Sequence, residues 1–218
     1  MSVSSSRLFL TAHVAVMAMA AVSAAGCVGE SGAPAADGFV AVHELPPAPS
    51  DTVDASIFDL DFDLVDQAGE TVKLADLGDR PTVAAMVYTS CDSVCIMVTE
   101  QMKAVERQLA GVDTGVRYVL FSLDPGRDTP EAMRNFATAH RLDTTRWRLM
   151  AAAEDDVRTL AAVLGVRYQP EPGGEIAHSA MVFVIDARGV VRHRQVGVGK
   201  DATELVAAVG RARSLTAR

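Results

Sequence analysis

Lysine is scarce in this chain: of 218 residues only Lys73, Lys103 and Lys200 are lysines, and the formal net charge is -8. No cluster of basic side chains stands ahead of the C-terminal tail. That leaves no electrostatic footprint for a phosphate backbone, so nucleic acid is not an expected partner. Long apolar runs are also missing after the first 27 residues, so no later stretch is expected to cross a bilayer. There is no internal repeat and no low-complexity domain. What remains has room for an export segment, a tether and one compact domain with a single core. The hydrophobic content of 49% owes part of its height to the N-terminus, and the rest reads as an ordinary soluble domain.

The N-terminus carries one positive charge, Arg7, followed by the largely apolar run from Leu8 to Val22 and then small residues up to Cys27. This is signal-peptide architecture over residues 1–27. The junction Ala24-Ala25-Gly26-Cys27 resembles the lipobox of bacterial lipoproteins, with Ala24 where Leu is usual, and makes Cys27 the expected site of lipidation, the alternatives being a plain secretory signal cut nearby or a retained N-terminal anchor. Residues 28–56 are rich in Gly, Ala, Pro, Ser and Asp and include Pro46-Pro47-Ala48-Pro49. They read as a flexible tether in which His43 is solvated. The expectation is an exported protein, tethered to the membrane on its periplasmic or extracytoplasmic side, whose folded domain spans 57–218.

Within that domain, Phe62 and Leu64 alternate with polar residues, Asp66 to Gly69 signal a turn, and Thr71, Val72 and Leu74 resume the pattern, which predicts a β-hairpin. Pro81 to Tyr88 is a nearly continuous apolar run, the mark of a central strand buried on both faces. Val94, Met97, Val98, Met102, Val105 and Leu109 then follow helical spacing, with Cys91 expected at the helix start. Val116 to Leu123 predicts a second buried strand, and Asp128-Thr129-Pro130-Glu131 a capped helix start. Further on come a short strand from Trp147 to Met150, a helix from Glu154 to Leu164 and a Gly/Pro loop from Gln169 to Gly174. His178 follows, then strands at 180–186 and 190–196, and a helix from Asp201 to about Ala212. This order predicts an α/β, thioredoxin-like fold with a central mixed sheet flanked by helices and an N-terminal β-hairpin extension.

Cys91 and Cys95, spaced i and i+4, are expected to project from one helix face, near enough to share a metal or to form a redox disulfide. A helix N-terminus favours their thiolates, which Asp92 opposes. His178 precedes a strand that should face this junction. The cis-proline usual there in thiol-disulfide oxidoreductases is absent, since the sequence reads Ile176-Ala177-His178-Ser179. Two thiolates and an imidazole make a soft three-donor site suited to Cu(I), and one that accepts Cu(II) when a further ligand is added. Structural zinc normally takes four protein ligands. Met86 and Met97 are read as core residues rather than donors.

Taken together, Tyr88-Thr89-Ser90-Cys91, Cys95, the run from Ser122 to Glu131 (SLDPGRDTPE), Trp147-Arg148-Leu149, His178-Ser179 and Val184-Ile185-Asp186 resemble the Sco/SenC family over roughly residues 55–213. The resemblance implies a thioredoxin-like protein binding one copper through Cys91, Cys95 and His178. It further implies a role in assembling the copper centre of cytochrome c oxidase subunit II, with Asp124 at a position tied to copper delivery or partner docking. The family's Cys-Pro-x-x-Cys-Pro reads here Cys91-Asp92-Ser93-Val94-Cys95-Ile96, so both prolines are gone. The leading expectation is a copper metallochaperone that needs no catalytic turnover and serves subunit II or another exported copper protein. The alternative is an exported thiol-disulfide reductase that keeps a partner's cysteines reduced. Peroxide reduction fits poorly, because Thr89 stands two rather than three residues before Cys91.

Overall fold

The computed structural model describes residues 55–112 and 115–216. The expected signal peptide, the lipidation site Cys27, His43 and almost the whole tether lie outside the described residues. Among the described residues, no helix is long and apolar enough to cross a membrane.

Among the described residues, nine strands and four α-helices follow one another. The order is β1 (Asp63–Asp66), β2 (Thr71–Lys73), β3 (Thr82–Val87), α1 (Val94–Gln108), β4 (Arg117–Ser122), α2 (Pro130–Ala139), β5 (Trp147–Ala152) and α3 (Glu154–Leu164). Then come β6 (Tyr168–Pro170), β7 (Ile176–His178), β8 (Met181–Ile185), β9 (Val191–Val196) and α4 (Thr203–Thr216). Seven strands form one sheet in the order β2-β1-β5-β4-β3-β8-β9, while β6 and β7 pair separately. Strand β3 is central, and every one of its residues is buried, as a strand covered on both faces must be. It runs parallel to β4 from Thr82↔Arg117 to Val87↔Ser122, and antiparallel to β8. Because β3, β4 and β5 are parallel, their C-terminal ends share one edge of the sheet, where crevices and ligands collect in α/β folds.

The predicted hairpin is present as β1 and β2. It extends the sheet by pairing β1 antiparallel to β5, with Leu64 opposite Ala152. The fold takes up the chain from Ser56, which bridges Val190, and the next residue, Ile57, is buried and donates its N–H to the Gly189 carbonyl. Gly189 has φ +83°, and a Cβ there would meet Ser56 Oγ at 2.3 Å and the Phe58 ring at 2.6 Å. Only glycine satisfies both the backbone conformation and that close approach.

Three local expectations need correction. Helix α1 begins at Val94, so Cys91 stands in the turn before it rather than on it. Residues 168–178 form a short hairpin, not a plain loop, and His178 ends its second strand. These three-residue strands, interrupted by Pro and Gly and largely exposed, carry no period that a sequence could display. Met97 is 51% exposed, whereas Met86 is buried in β3 as expected. The buried face of α1 is Cys95, Val98, Thr99, Met102 and Val105 with Gln101, and Met97 falls beside that face.

Candidate metal centre

Helix α1 starts without a side-chain cap from Ser93, its N-cap residue. The sulfur of Cys91 accepts the Cys95 N–H instead, at 3.5 Å. A thiol placed against the unpaired N–H groups of a helix N-terminus is stabilised as thiolate. Burial alone pushes the Cys91 thiol up. Hydrogen bonds from the Cys95 thiol, the backbone at Ser93 and Cys95, and the Tyr88 hydroxyl outweigh it and leave Cys91 below the ordinary thiol range. Cys95 lies on the first turn of α1 and is fully buried. Burial, and its hydrogen bond to Cys91, push its thiol far up. The pair is therefore asymmetric, and the first thiolate forms on Cys91. Both cysteines are free thiols in the structure.

His178 Nε2 lies 3.2 Å from Cys95 Sγ, and Nδ1 lies 3.2 Å from the Ser179 carbonyl oxygen. A carbonyl only accepts, so Nδ1 carries the proton and Nε2 presents its lone pair to the sulfurs. Burial lowers the imidazole's proton affinity, and the Ser179 carbonyl only partly offsets this. His178 is thus held neutral, the form that binds metal. Cys91, Cys95 and His178 offer donor atoms that all lie within 4.8 Å of one another. Two sulfurs and one ring nitrogen are a soft set that fits copper better than hard cations, and three protein donors fall short of the four usual for structural zinc. The i, i+4 spacing is not what joins the cysteines: the turn through Asp92 and Ser93 folds Cys91 back over the helix end.

Neighbouring side chains tie this site to β3, β7, β4 and the start of α2. Tyr88 Oη accepts the Ile176 N–H at 3.2 Å, fixing β7 to the end of β3, and its ring meets His178 edge-on at 6.0 Å. Asp128 is 2% exposed. One of its oxygens accepts Thr89 N–H at 3.0 Å and Thr89 Oγ1–H at 2.6 Å, and the other accepts Ser122 Oγ–H at 2.5 Å. Within the expected capped start of α2 the cap is Thr129, whose Oγ1 accepts the Ala132 N–H at 3.2 Å. With the neighbouring threonine capping α2, Asp128 turns inward and pins the turn that leads to Cys91. Polar residues at the ends of two apolar strands, Thr89 and Ser122, were the available hint. Asp124 lies just past β4 but is not among the three donors. Its carboxylate pairs with Arg127, which also donates to the Gly174 carbonyl and so links the end of β4 to the β6–β7 hairpin.

An open pocket of about 300 Å³ reaches Cys91 and His178, with Cys95 buried behind them. Asp92, Glu171 and Glu175 stand on its wall with Ser90 and Ser93, and among the described residues no lysine or arginine lines it.

Several known proteins are similar to this chain. The SCO1 protein homolog of Bacillus subtilis is 24% identical over 140 residues, 63% of this chain and 72% of that protein. A SCO1/SenC family lipoprotein from Bacillus anthracis superposes with a TM-score of 0.65 at 23% identity, covering 69% of this chain and 92% of its own. Bradyrhizobium japonicum ScoI, solved with copper bound, superposes with a TM-score of 0.59 at 24% identity over 69% of this chain and 96% of its own. At these identities the superpositions establish the shared thioredoxin-like fold. The SCO1/SenC family model matches residues 50–213, three quarters of the sequence and the whole of the metal-donor constellation, and the chain belongs to that family.

Proposed function

We propose that this protein is a copper metallochaperone that holds one copper ion on Cys91, Cys95 and His178 and hands it to the copper centre of cytochrome c oxidase subunit II or to another exported copper protein. The observation that carries this reading is the convergence of the three soft donors, with a neutral imidazole whose Nε2 faces the Cys95 sulfur. The ScoI relative with copper bound supports the choice of metal. Cys91, Cys95 and His178 would hold the ion, and a soft ion bound there supplies ligand-exchange chemistry at an open rim. Asp124, on the same edge of the sheet, is a docking or transfer residue in this reading. The signal-peptide and lipobox pattern of residues 1–27 supports export and a lipid anchor on Cys27, with 28–56 as the tether.

Anaerobic Cu(I) titration of the reduced protein against a chromogenic competitor tests the site. One equivalent should bind to the wild type and be lost or weakened at least about a hundredfold in Cys91→Ala and His178→Ala, the loss expected for a metal ligand rather than a neighbour. Free thiols with no stoichiometric copper would reject the reading. Unchanged binding in His178→Ala would remove the imidazole from the site. Transfer of the bound equivalent to apo subunit II, followed by that protein's own absorption, tests the delivery step.

A further inference from the structure

The parallel strands that place Cys91 at one end of the sheet bring their N-terminal ends together at the opposite end. Arg80 precedes β3, Arg117 opens β4, Arg146 precedes β5 and Arg148 is its second residue, and Arg134 reaches in from α2. These five arginines line one open cleft of about 1110 Å³. They come from positions scattered over nearly seventy residues, so no basic cluster is visible along the chain.

Three carboxylates engage four of these five arginines. Asp79 takes Arg80 at 2.6 Å and Arg117 at 2.8 Å, Asp66 takes Arg148 at 2.5 Å, and Glu106 takes Arg146 at 3.1 Å. Asp66 is the one carboxylate on the cleft wall among the described residues. Arg134 donates to the Gln67 carbonyl at 2.9 Å and has no carboxylate partner among the described residues. Nη1 of Arg117 is buried with no hydrogen-bond partner. An oxyanion admitted beside Arg117 would supply the acceptor that this nitrogen lacks, while the exposed guanidinium of Arg134 meets it from the cleft. Burial, with repulsion from Arg80 and Arg148, makes the Arg117 charge harder to hold, and Asp79 only partly relieves it.

We propose that this cleft binds a phosphate-type oxyanion, with Arg80, Arg117 and Arg134 as its principal donors. Arginine suits the task because its planar fork takes two oxygens of one phosphate at once. A phospholipid headgroup and free phosphate share that chemistry. The position of the cleft favours the headgroup. The described chain enters the domain at this same end, where Ser56 bridges Val190 and Ile185 lies opposite Thr82, the first residue of β3. Binding there would turn the metal centre away from the lipid surface.

The test is calorimetric titration of the full chain, in nonionic detergent at low salt, with inorganic phosphate and separately with dihexanoyl phosphatidylglycerol below its micelle concentration. One saturable equivalent of at least one probe is expected, weakened at least about tenfold in Arg80→Gln/Arg134→Gln, as loss of one or two charge-assisted bonds requires. Both side chains reach solvent, and an unchanged melting curve would show that the variant folds. Should it not fold, Arg80→Lys/Arg134→Lys keeps the charge, removes the fork and should still weaken binding severalfold. Binding of the lipid alone assigns the headgroup, and equal binding of both assigns phosphate itself. Saturation by neither probe, or folded variants that bind like the wild type, would overturn the site.

Discussion

At the scale of single residues, the two cysteines differ in chemistry although they stand four positions apart. Cys91 has the role of a helix cap and is surrounded by donors, whereas Cys95 is sealed between the helix and the sheet. Alkylation of the reduced, metal-free protein should therefore modify Cys91 first, with a pH midpoint below that of an ordinary thiol. Cys95 should resist until well above it. Mass mapping of the alkylated peptides across a pH series checks this, and equal or reversed reactivity would contradict the asymmetry. The linkage has opposite signs at the two positions. The raised Cys95 contributes stability below its unfolded value that is lost as pH rises through its folded one. The lowered Cys91 contributes stability above its unfolded value that is lost as pH falls.

Among elements, the metal-site turn, β4 and α2 are joined through one carboxylate. Replacing Asp128 with Ala would leave the Thr89 N–H and the Thr89 and Ser122 hydroxyls without their acceptor. The expected destabilisation is about 1–3 kcal/mol, the usual cost of orphaned buried donors. Asp128→Asn keeps an acceptor oxygen and should lose less. Denaturant unfolding of the two variants measures both, and a loss under about 0.5 kcal/mol for Ala would mean that water or rotation replaces the carboxylate. The β6–β7 hairpin is held in the same manner, by Tyr88 at Ile176 and by Arg127 at Gly174. His178 is thus positioned by contacts from the end of β3 and the approach to α2 as well as by its pairing with Tyr168 across the hairpin.

For the whole molecule, the sheet separates two chemistries. Its C-terminal edge carries soft donors under an acidic rim, and its N-terminal edge carries arginines. A net charge of -8 hides this division, since it averages two ends of unlike sign. The export and anchoring reading belongs at this scale too. Protein extracted from membranes should have lost residues 1–26 and carry lipid on Cys27, which intact mass measurement would detect. An unmodified full-length mass would reject the anchor.

By itself the sequence determined the order of elements apart from the β6–β7 hairpin, the buried central strand and three candidate donors. Each of these is written locally, in apolar runs, helical spacing and a recognisable set of motifs. Tertiary structure decided how those residues act. Cys95 and His178 meet across 83 positions of chain, and only the strand arrangement sets their atoms 3.2 Å apart. The α1 start displaced Cys91 into a turn, the competition for the α2 cap sent Asp128 inward, and the rotation of α1 left Met97 outside. The arginine cleft was illegible for the same reason: its members are neighbours only after β3, β4 and β5 have paired, because register between strands, not distance along the chain, decides which charges meet.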